Sequence, residues 1–273
     1  MSDFLQEMAA SSRERARMTL EKRTVSGLDS RVRSAPPPKP ISFSDRGFDV
    51  IAEAKLSSPS EGKLVDGPAN AETVLALADD YTANGAAAIS VLTEPDRFSG
   101  DLAHLEAVAA AVPLAVMRKD FLVDPVQIDE ARAGGASGVL LIARMGSGDL
   151  LEEMTDQALD LGMFVLVEIF DRSDLEIAVR VFDREVLVGV NCRDLSTLDV
   201  DKSRFESLAP QLPHYLPTVA ESGLIGVEDV AAVAGLGYSM ALVGSSLVSG
   251  DNPGAALAAF IAAGRSRLSG VAQ

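Results

Sequence analysis

Eight short apolar runs, each followed by a longer segment with helical spacing, leave this chain few architectures. The runs occupy residues 49–54, 88–92, 114–118, 138–142, 164–169, 186–191, 217–221 and 240–244. Their shortness and β-branched content mark them as buried strands. Between them, residues 72–83, 126–132, 150–161, 173–181 and 227–234 are rich in Ala, Leu and Glu with apolar positions at helical spacing. Asp124, Ser147 and Asp171 stand where helix N-caps are expected, and Gly85 and Gly134-Gly135 stand where helices give way to strands. A strand–helix unit repeated eight times in 273 residues predicts a closed (β/α)8 TIM barrel, an α/β fold of parallel strands. A doubly wound open sheet is the alternative, but it usually has fewer strands and a Gly-rich turn after the first, which this sequence lacks.

Residues 4–22 alternate apolar and charged positions at helical spacing, predicting an additional N-terminal amphipathic helix that lies against a larger body. Ala35-Pro36-Pro37-Pro38-Lys39-Pro40 can only be extended or turned, so it is expected to be a connector. One barrel domain over residues 1–273 is expected, with residues 1–47 as a helical and Pro-rich extension.

A hydrophobic fraction of 47% supports a sizeable core, while a net charge of −16 with no dense basic run argues against a nucleic-acid partner. Cys192 is the one cysteine, and His104 and His214 lie far apart, so neither an internal disulfide nor a metal centre is expected. The first residues lack the apolar core of a secretory signal, and no apolar run approaches the ~20 residues that span a bilayer. A cytoplasmic protein with no membrane partner is the expectation, and a monomer, with weak self-association left open.

In a barrel of this kind the reactive groups sit at the C-terminal ends of the strands. Here those ends are polar: Glu53 and Lys55 after the first run, Lys119 after the third, Glu168 in the fifth, Asn191 and Arg193 after the sixth, and Glu221-Ser222-Gly223 after the seventh. Any one charged residue past a strand is most often a solvated loop residue, or half of a structural ion pair such as Glu53–Lys55 or Glu168–Lys119. Five of eight strands ending this way weaken that reading. Strand alternation puts Ile51, Glu53 and Lys55 on one face, as it does Met117, Lys119 and Phe121, and also Asn191 and Arg193. Converging lysines and carboxylates over an apolar mouth are the arrangement that shifts pKa values for acid–base work. Phe98, Phe121 and Leu140 are candidates for its apolar wall, with plain core packing about as good an account of each. Cys192 has the opposite parity and is expected to be an inert buried thiol.

Gly223 after the seventh run, and Gly244 and Ser245 after the eighth, occupy the places where barrels cradle a phosphate. Each Gly-Ser pair alone is an ordinary turn signal; both together are more specific. Lys55 and Ser58 in the first loop add a cation and a hydroxyl. That loop, residues 56–70 with Gly62 and Gly67, is long enough to serve as a lid or to be simple surface loop.

Ile51-Ala52-Glu53-Ala54-Lys55 followed by Ser58-Pro59-Ser60 resembles the first-strand signature of the indole-3-glycerol phosphate synthase family. Ser90-Val91-Leu92-Thr93-Glu94, Phe98-Ser99-Gly100, Arg118-Lys119-Asp120-Phe121, Val167-Glu168-Ile169, Asn191-Cys192-Arg193-Asp194-Leu195, Ala220-Glu221-Ser222-Gly223 and Gly244-Ser245-Ser246-Leu247 resemble its later strand-end motifs, in order. The resemblance implies a carboxy-lyase of tryptophan biosynthesis that closes, decarboxylates and dehydrates 1-(2-carboxyphenylamino)-1-deoxyribulose 5-phosphate, with no cofactor or metal. It implies Lys119 as the general acid at the ketone, Glu168 as the carboxylate at the anilino nitrogen, and Lys55 as the cation for the substrate carboxylate and an acid for dehydration. Glu53, Asn191, Glu221 and Ser222 match supporting polar positions; Ser58, Gly223, Gly244 and Ser245 match phosphate contacts. Arg193 matches a contact on the anthranilate carboxylate side, and Phe98, Phe121 and Leu140 match the ring pocket.

The sequence departs from the family pattern at Glu61, where a lysine is usual, at Cys192, where Asn or Ser is usual, and over residues 25–44, which are Pro-rich and poorly matched. These departures leave three alternatives: a paralogue acting on a related phosphorylated anthranilate-type substrate, a non-catalytic phosphate-binding barrel, or a related barrel such as phosphoribosylanthranilate isomerase. The last calls for a Cys/Asp pair at strand ends, where this chain has Glu53, Lys55 and Lys119.

Overall fold

Strands that are apolar at nearly every position suit a parallel sheet covered on both faces, and each of the eight runs forms one. The computed structural model describes residues 3–45, 47–65, 68–195 and 197–269. Its barrel strands are β1 (Asp49–Ala54), β2 (Ala88–Leu92), β3 (Ala115–Lys119), β4 (Gly138–Ile142), β5 (Phe164–Ile169), β6 (Leu187–Asn191), β7 (Thr218–Glu221) and β8 (Met240–Val243). Neighbours pair in parallel, and β1 pairs with both β8 and β2, so the sheet closes with no free edge. The observed ends differ from the expected ones by a single residue; Lys119 is the last residue of β3 rather than the first beyond it.

Alternation along each strand divides the core in two. Ile51, Met117, Leu140, Leu166, Val219 and Met240 point inward and fill the barrel. Val50, Val116, Val139, Val165 and Val188 point outward and meet the helices. These helices are α3 (Ala71–Ala83), α4 (Leu102–Ala111), α5 (Val126–Ala133), α6 (Gly148–Asp160), α7 (Arg172–Ala178), α8 (Ser203–Leu208), α9 (Val227–Gly235) and α10 (Pro253–Ser269), preceded by α1 (Asp3–Lys22) and α2 (Leu28–Ser34). Ser147 and Asp171 cap α6 and α7 through their side chains as expected. At α5 the N-cap is Pro125, one residue later than expected, and the Asp124 carboxylate accepts the Val126 N–H at 2.9 Å. The helix expected over residues 173–181 is α7 followed by a separate 3-10 turn, Val179–Val181.

The N-terminal helix does more than lie against the barrel wall. Leu5, Met8 and Ala9 of α1 are buried in the same apolar cluster as Phe121, Val123, Met145 and Phe170, which follow β3, β4 and β5. The helix therefore sits on the C-terminal rim. Arg15 clamps Asp120 with two hydrogen bonds of 2.7 and 2.8 Å, and Asp120 also accepts from Thr93 Oγ1 at 2.8 Å and from Arg118 Nη2 at 3.1 Å. Burial alone would raise the Asp120 carboxyl, but Arg15 and Arg118 hold it well below the usual carboxylate range. The Pro-rich connector is neither helix nor strand, and Arg132 Nη2 donates to the Ala35 carbonyl at 3.0 Å. Lys39 anchors its end through Ala109 O at 2.7 Å and Ser137 Oγ at 3.0 Å.

Asp120 is the acceptor common to Arg15 and Arg118, so Asp120→Asn removes the charge both guanidiniums face and leaves Arg118, which is 1% exposed, to Glu130 at 3.2 Å, Thr93 and the Gln127 carbonyl. The loss of stability expected is about 2 kcal/mol, the scale of a hydrogen bond to a charged group, read as a lowered denaturant midpoint with an unchanged slope.

Candidate active site

Because all eight strands run in parallel around a closed sheet, their C-terminal residues meet at one rim. A cavity of about 290 Å³ opens there. Every residue singled out from the sequence lines it: Glu53, Lys55, Ser58, Phe98, Lys119, Phe121, Leu140, Glu168, Asn191, Arg193, Glu221, Ser222, Gly223, Gly244 and Ser245. Inward parity at β1, β3 and β6 is thus as expected. Cys192 faces the other way into the outer core, where burial pushes its thiol up to about 12. The hairpin formed by Ser57–Ser58 and Gly62–Lys63 begins the first loop; Gly67 lies outside the described residues.

Lys119 is the centre of the charge arrangement. Its Nζ lies 3.2 Å from Glu168 Oε2 and 3.8 Å from Glu221 Oε2. Burial alone would lower the ammonium's pKa, but the negative charges of Glu168, Glu221 and Glu53 overcome it and raise the group above the ordinary lysine value. Lys119 is therefore held protonated. Glu221 shows the opposite balance: burial first, then the neighbouring Glu168 charge, drive its carboxyl well above the usual range despite Lys119. The Glu221 carboxyl is thereby biased toward its protonated form. Apart from a carboxyl–carboxyl hydrogen bond between Glu221 and Glu168, neither Glu221 oxygen nor Glu53 Oε2 has a hydrogen-bond partner among the described residues, and unsatisfied buried polar atoms facing a cavity are places for polar ligand groups. Lys55 pairs with Glu53 at 3.2 Å.

Two glycines make room for these carboxylates. A Cβ on Gly189 would fall 2.0 Å from Glu221 Oε1, and one on Gly244 would fall 2.5 Å from Glu53 Oε1. Ser222 and Gly223 turn the chain after β7 with φ of 64° and 70°, a conformation that costs Ser222 about 1 kcal/mol or more. Opposite the charges stands an aromatic wall in which the Phe121 ring lies 5.9 Å from Phe4 and 6.1 Å from Phe98. Arg193 is held at the rim by its Nη1 bond to the Leu198 carbonyl at 2.9 Å, and its own N–H donates to Asn191 Oδ1 at 2.9 Å. A protonated lysine between carboxyls, an aromatic slot and hydroxyl-bearing turns can together protonate an oxygen, seat a flat ring and hold an anion.

A family model described as indole-3-glycerol phosphate synthase matches residues 5–260. This chain belongs to the indole-3-glycerol phosphate synthase family. Curated members with that name include one from Saccharopolyspora erythraea, 43% identical over 239 residues and 87% of each chain. A second, from Streptomyces coelicolor, is 46% identical over 220 residues, 80% of this chain and 79% of its own. Among solved structures, 3-hexulose-6-phosphate synthase from Salmonella typhimurium superposes with a TM-score of 0.63 at 12% identity, covering 81% of this chain and all of that one. Phosphoribosylanthranilate isomerase from Thermotoga maritima gives 0.56 at 15% identity, covering 80% and 99%. Likeness at such identities is likeness of fold.

Within this family member several cavity residues escaped the sequence. Phe4 is among them, since helical spacing marked α1 as amphipathic but not what it covers. Gly189 lies behind the cavity lining and escaped too, an unremarkable glycine inside a strand until the Glu221 side chain is seen in the space it leaves; a glycine within a strand is the available hint of close approach.

The raised Glu221 carboxyl has a sign that can be tested. Its folded pKa lies above the unfolded one, so its stabilising contribution is complete below about 4.3, the ordinary glutamate value, and is lost as pH rises through the folded pKa. Glutamine does not titrate, so Glu221→Gln should gain stability relative to the parent as pH climbs above about 4.3 toward the raised folded value. Denaturant melts across that range check it; a pH-independent difference would contradict a proton on Glu221.

Proposed function

We propose that this chain converts 1-(2-carboxyphenylamino)-1-deoxyribulose 5-phosphate into indole-3-glycerol phosphate, carbon dioxide and water. The observation that carries the reading is the partly buried Lys119 ammonium, 3.2 Å from Glu168, facing an aromatic wall in a barrel of this family. The ring carbon bearing the carboxylate attacks the ketone carbon while Lys119 delivers a proton to the ketone oxygen. Carbon dioxide then leaves with its bond electrons restoring the aromatic ring. Loss of the new hydroxyl as water, with a proton from the adjacent ring carbon, completes the indole.

The surrounding groups divide the remaining work. Phe98, Phe121 and Leu140 seat the anthranilate ring, and Glu168 accepts from the anilino N–H as charge builds on nitrogen. Lys55 and Arg193 hold the carboxylate before it departs, and Lys55 then stands as the acid for the leaving hydroxyl. Ser58, Gly223, Gly244 and Ser245 hold the phosphate. Glu53, Asn191, Glu221 and Ser222 complete the polar lining, with protonated Glu221 able to donate to a substrate hydroxyl. Preorganised charges in a partly closed site are worth far more than the same charges in water. The chain's place is then tryptophan biosynthesis, in the cytoplasm. Among the described residues no helix is long and apolar enough to cross a membrane.

The chain contains no tryptophan, so the indole product's fluorescence appears against a dark protein background. Purified protein supplied with the carboxyphenylamino-deoxyribulose phosphate should give that signal; silence where an established synthase turns over would refute the assignment. Lys119→Ala should lower turnover by about 10²-fold or more while the circular dichroism spectrum is kept, the range of general acid catalysis. Activity within a few-fold of the parent would remove Lys119 from the proton-donating role.

A further inference from the structure

Both hydroxyls read above as phosphate ligands already serve a carboxylate from the protein itself. Ser58 Oγ donates to Glu61 Oε2 at 3.3 Å, and Ser245 Oγ donates to the same oxygen. The Glu61 N–H in turn donates to Ser58 Oγ at 3.2 Å. Glu61 belongs to the hairpin of the first loop, Ser245 to the turn after β8, and 184 positions of chain separate them. Both hydroxyls and Glu61 line the same cavity. One oxygen of a negatively charged group thus receives donors from both sides of the cavity mouth, the arrangement that a phosphate oxygen would otherwise satisfy.

We propose that Glu61 sets the affinity of the site for phosphorylated ligands by acting as an internal competitor: its carboxylate fills the hydroxyl cradle in the free protein and must withdraw before a phosphate enters. This inference rests on the phosphate reading given above. Two effects act in the same direction. Phosphate has to break the two hydroxyl bonds to Glu61, each a charge-assisted bond and stronger than a neutral one. A carboxylate left within a few ångströms also repels a dianion, an effect softened by solvent because Glu61 is exposed. The loop has the means to move aside, because Gly62 next to Glu61 has φ of 70° and nothing within 4 Å of where a Cβ would stand. After turnover the same carboxylate returns to the hydroxyls and helps expel a product that still carries its phosphate.

The test compares the parent with Glu61→Gln and Glu61→Lys, with Glu153→Gln on the exposed face of α6 as a control for net charge. Inorganic phosphate is the probe, titrated by calorimetry and used as a competitive inhibitor of turnover. Both Glu61 variants should tighten phosphate binding by about tenfold or more, the worth of one hydrogen bond to a charged group. KM for the phosphorylated substrate should fall in the same proportion, and the control should match the parent. Unchanged phosphate affinity in both Glu61 variants, or an equal gain in Glu153→Gln, overturns the inference. Failure of the parent to turn over would refute the proposed reaction instead, and the calorimetric comparison would still decide the role of Glu61. A thermal melt of each variant confirms that the folded protein is what binds.

Discussion

A lysine ammonium taken out of water is tolerable only where charge and hydrogen bonds replace what hydration supplied, and the architecture around Lys119 answers that requirement. Glu168 lies at hydrogen-bonding distance and Glu221 just beyond it. These carboxyls need space, which Gly189 opens for Glu221. They also crowd one another, and the nearby Glu168 charge is one cause, after burial, of the raised Glu221 carboxyl. Directly after Lys119 comes Asp120, fastened by Arg15, Arg118 and Thr93. The end of β3 is thus fixed from within by carboxylates and from without by cations, and the ammonium it presents has little freedom to turn.

Much of this was legible in the residues. Strand parity at Glu53 and Lys119 depends only on the period of a β-strand, and both side chains line the cavity, as does Arg193 two residues past the end of β6. The barrel followed from counting runs, because eight strand–helix units close most simply on themselves. What the residues did not reveal depends on distance along the chain. Phe4 reaches Phe121, and Arg15 reaches Asp120 across 105 positions, by a docking of α1 that helical periodicity cannot specify. The hydroxyl cradle showed the opposite limit. Its serines were recognisable, but the orientation of Glu61 toward them depends on a hairpin whose shape is set by Gly62 rather than by any apolar pattern.

The electrostatics also reconcile a chain of net charge −16 with an anionic ligand. The overall field opposes approach, and the cavity itself sets Lys55, Lys119 and Arg193 among Glu53, Glu61, Asp120, Glu168 and Glu221, so an anionic group is held by the individual cations it touches, at distances shorter than the screening length of about 8 Å, rather than by a net positive field. Asp120 adds little negative character to the opening, since Arg15 and Arg118 face its carboxylate.

The docking of α1 on the far rim has a consequence for the order in which the molecule is made. Arg15 emerges during synthesis 105 residues ahead of Asp120, and the apolar seat for Leu5 and Met8 includes Phe170, later still. The first helix of the chain is therefore among the last to find its place, and it remains solvent-exposed while half the barrel is still being translated. Its charged face, bearing Arg13, Glu14, Arg17 and Glu21, keeps that waiting helix in water until the rim that will receive it exists.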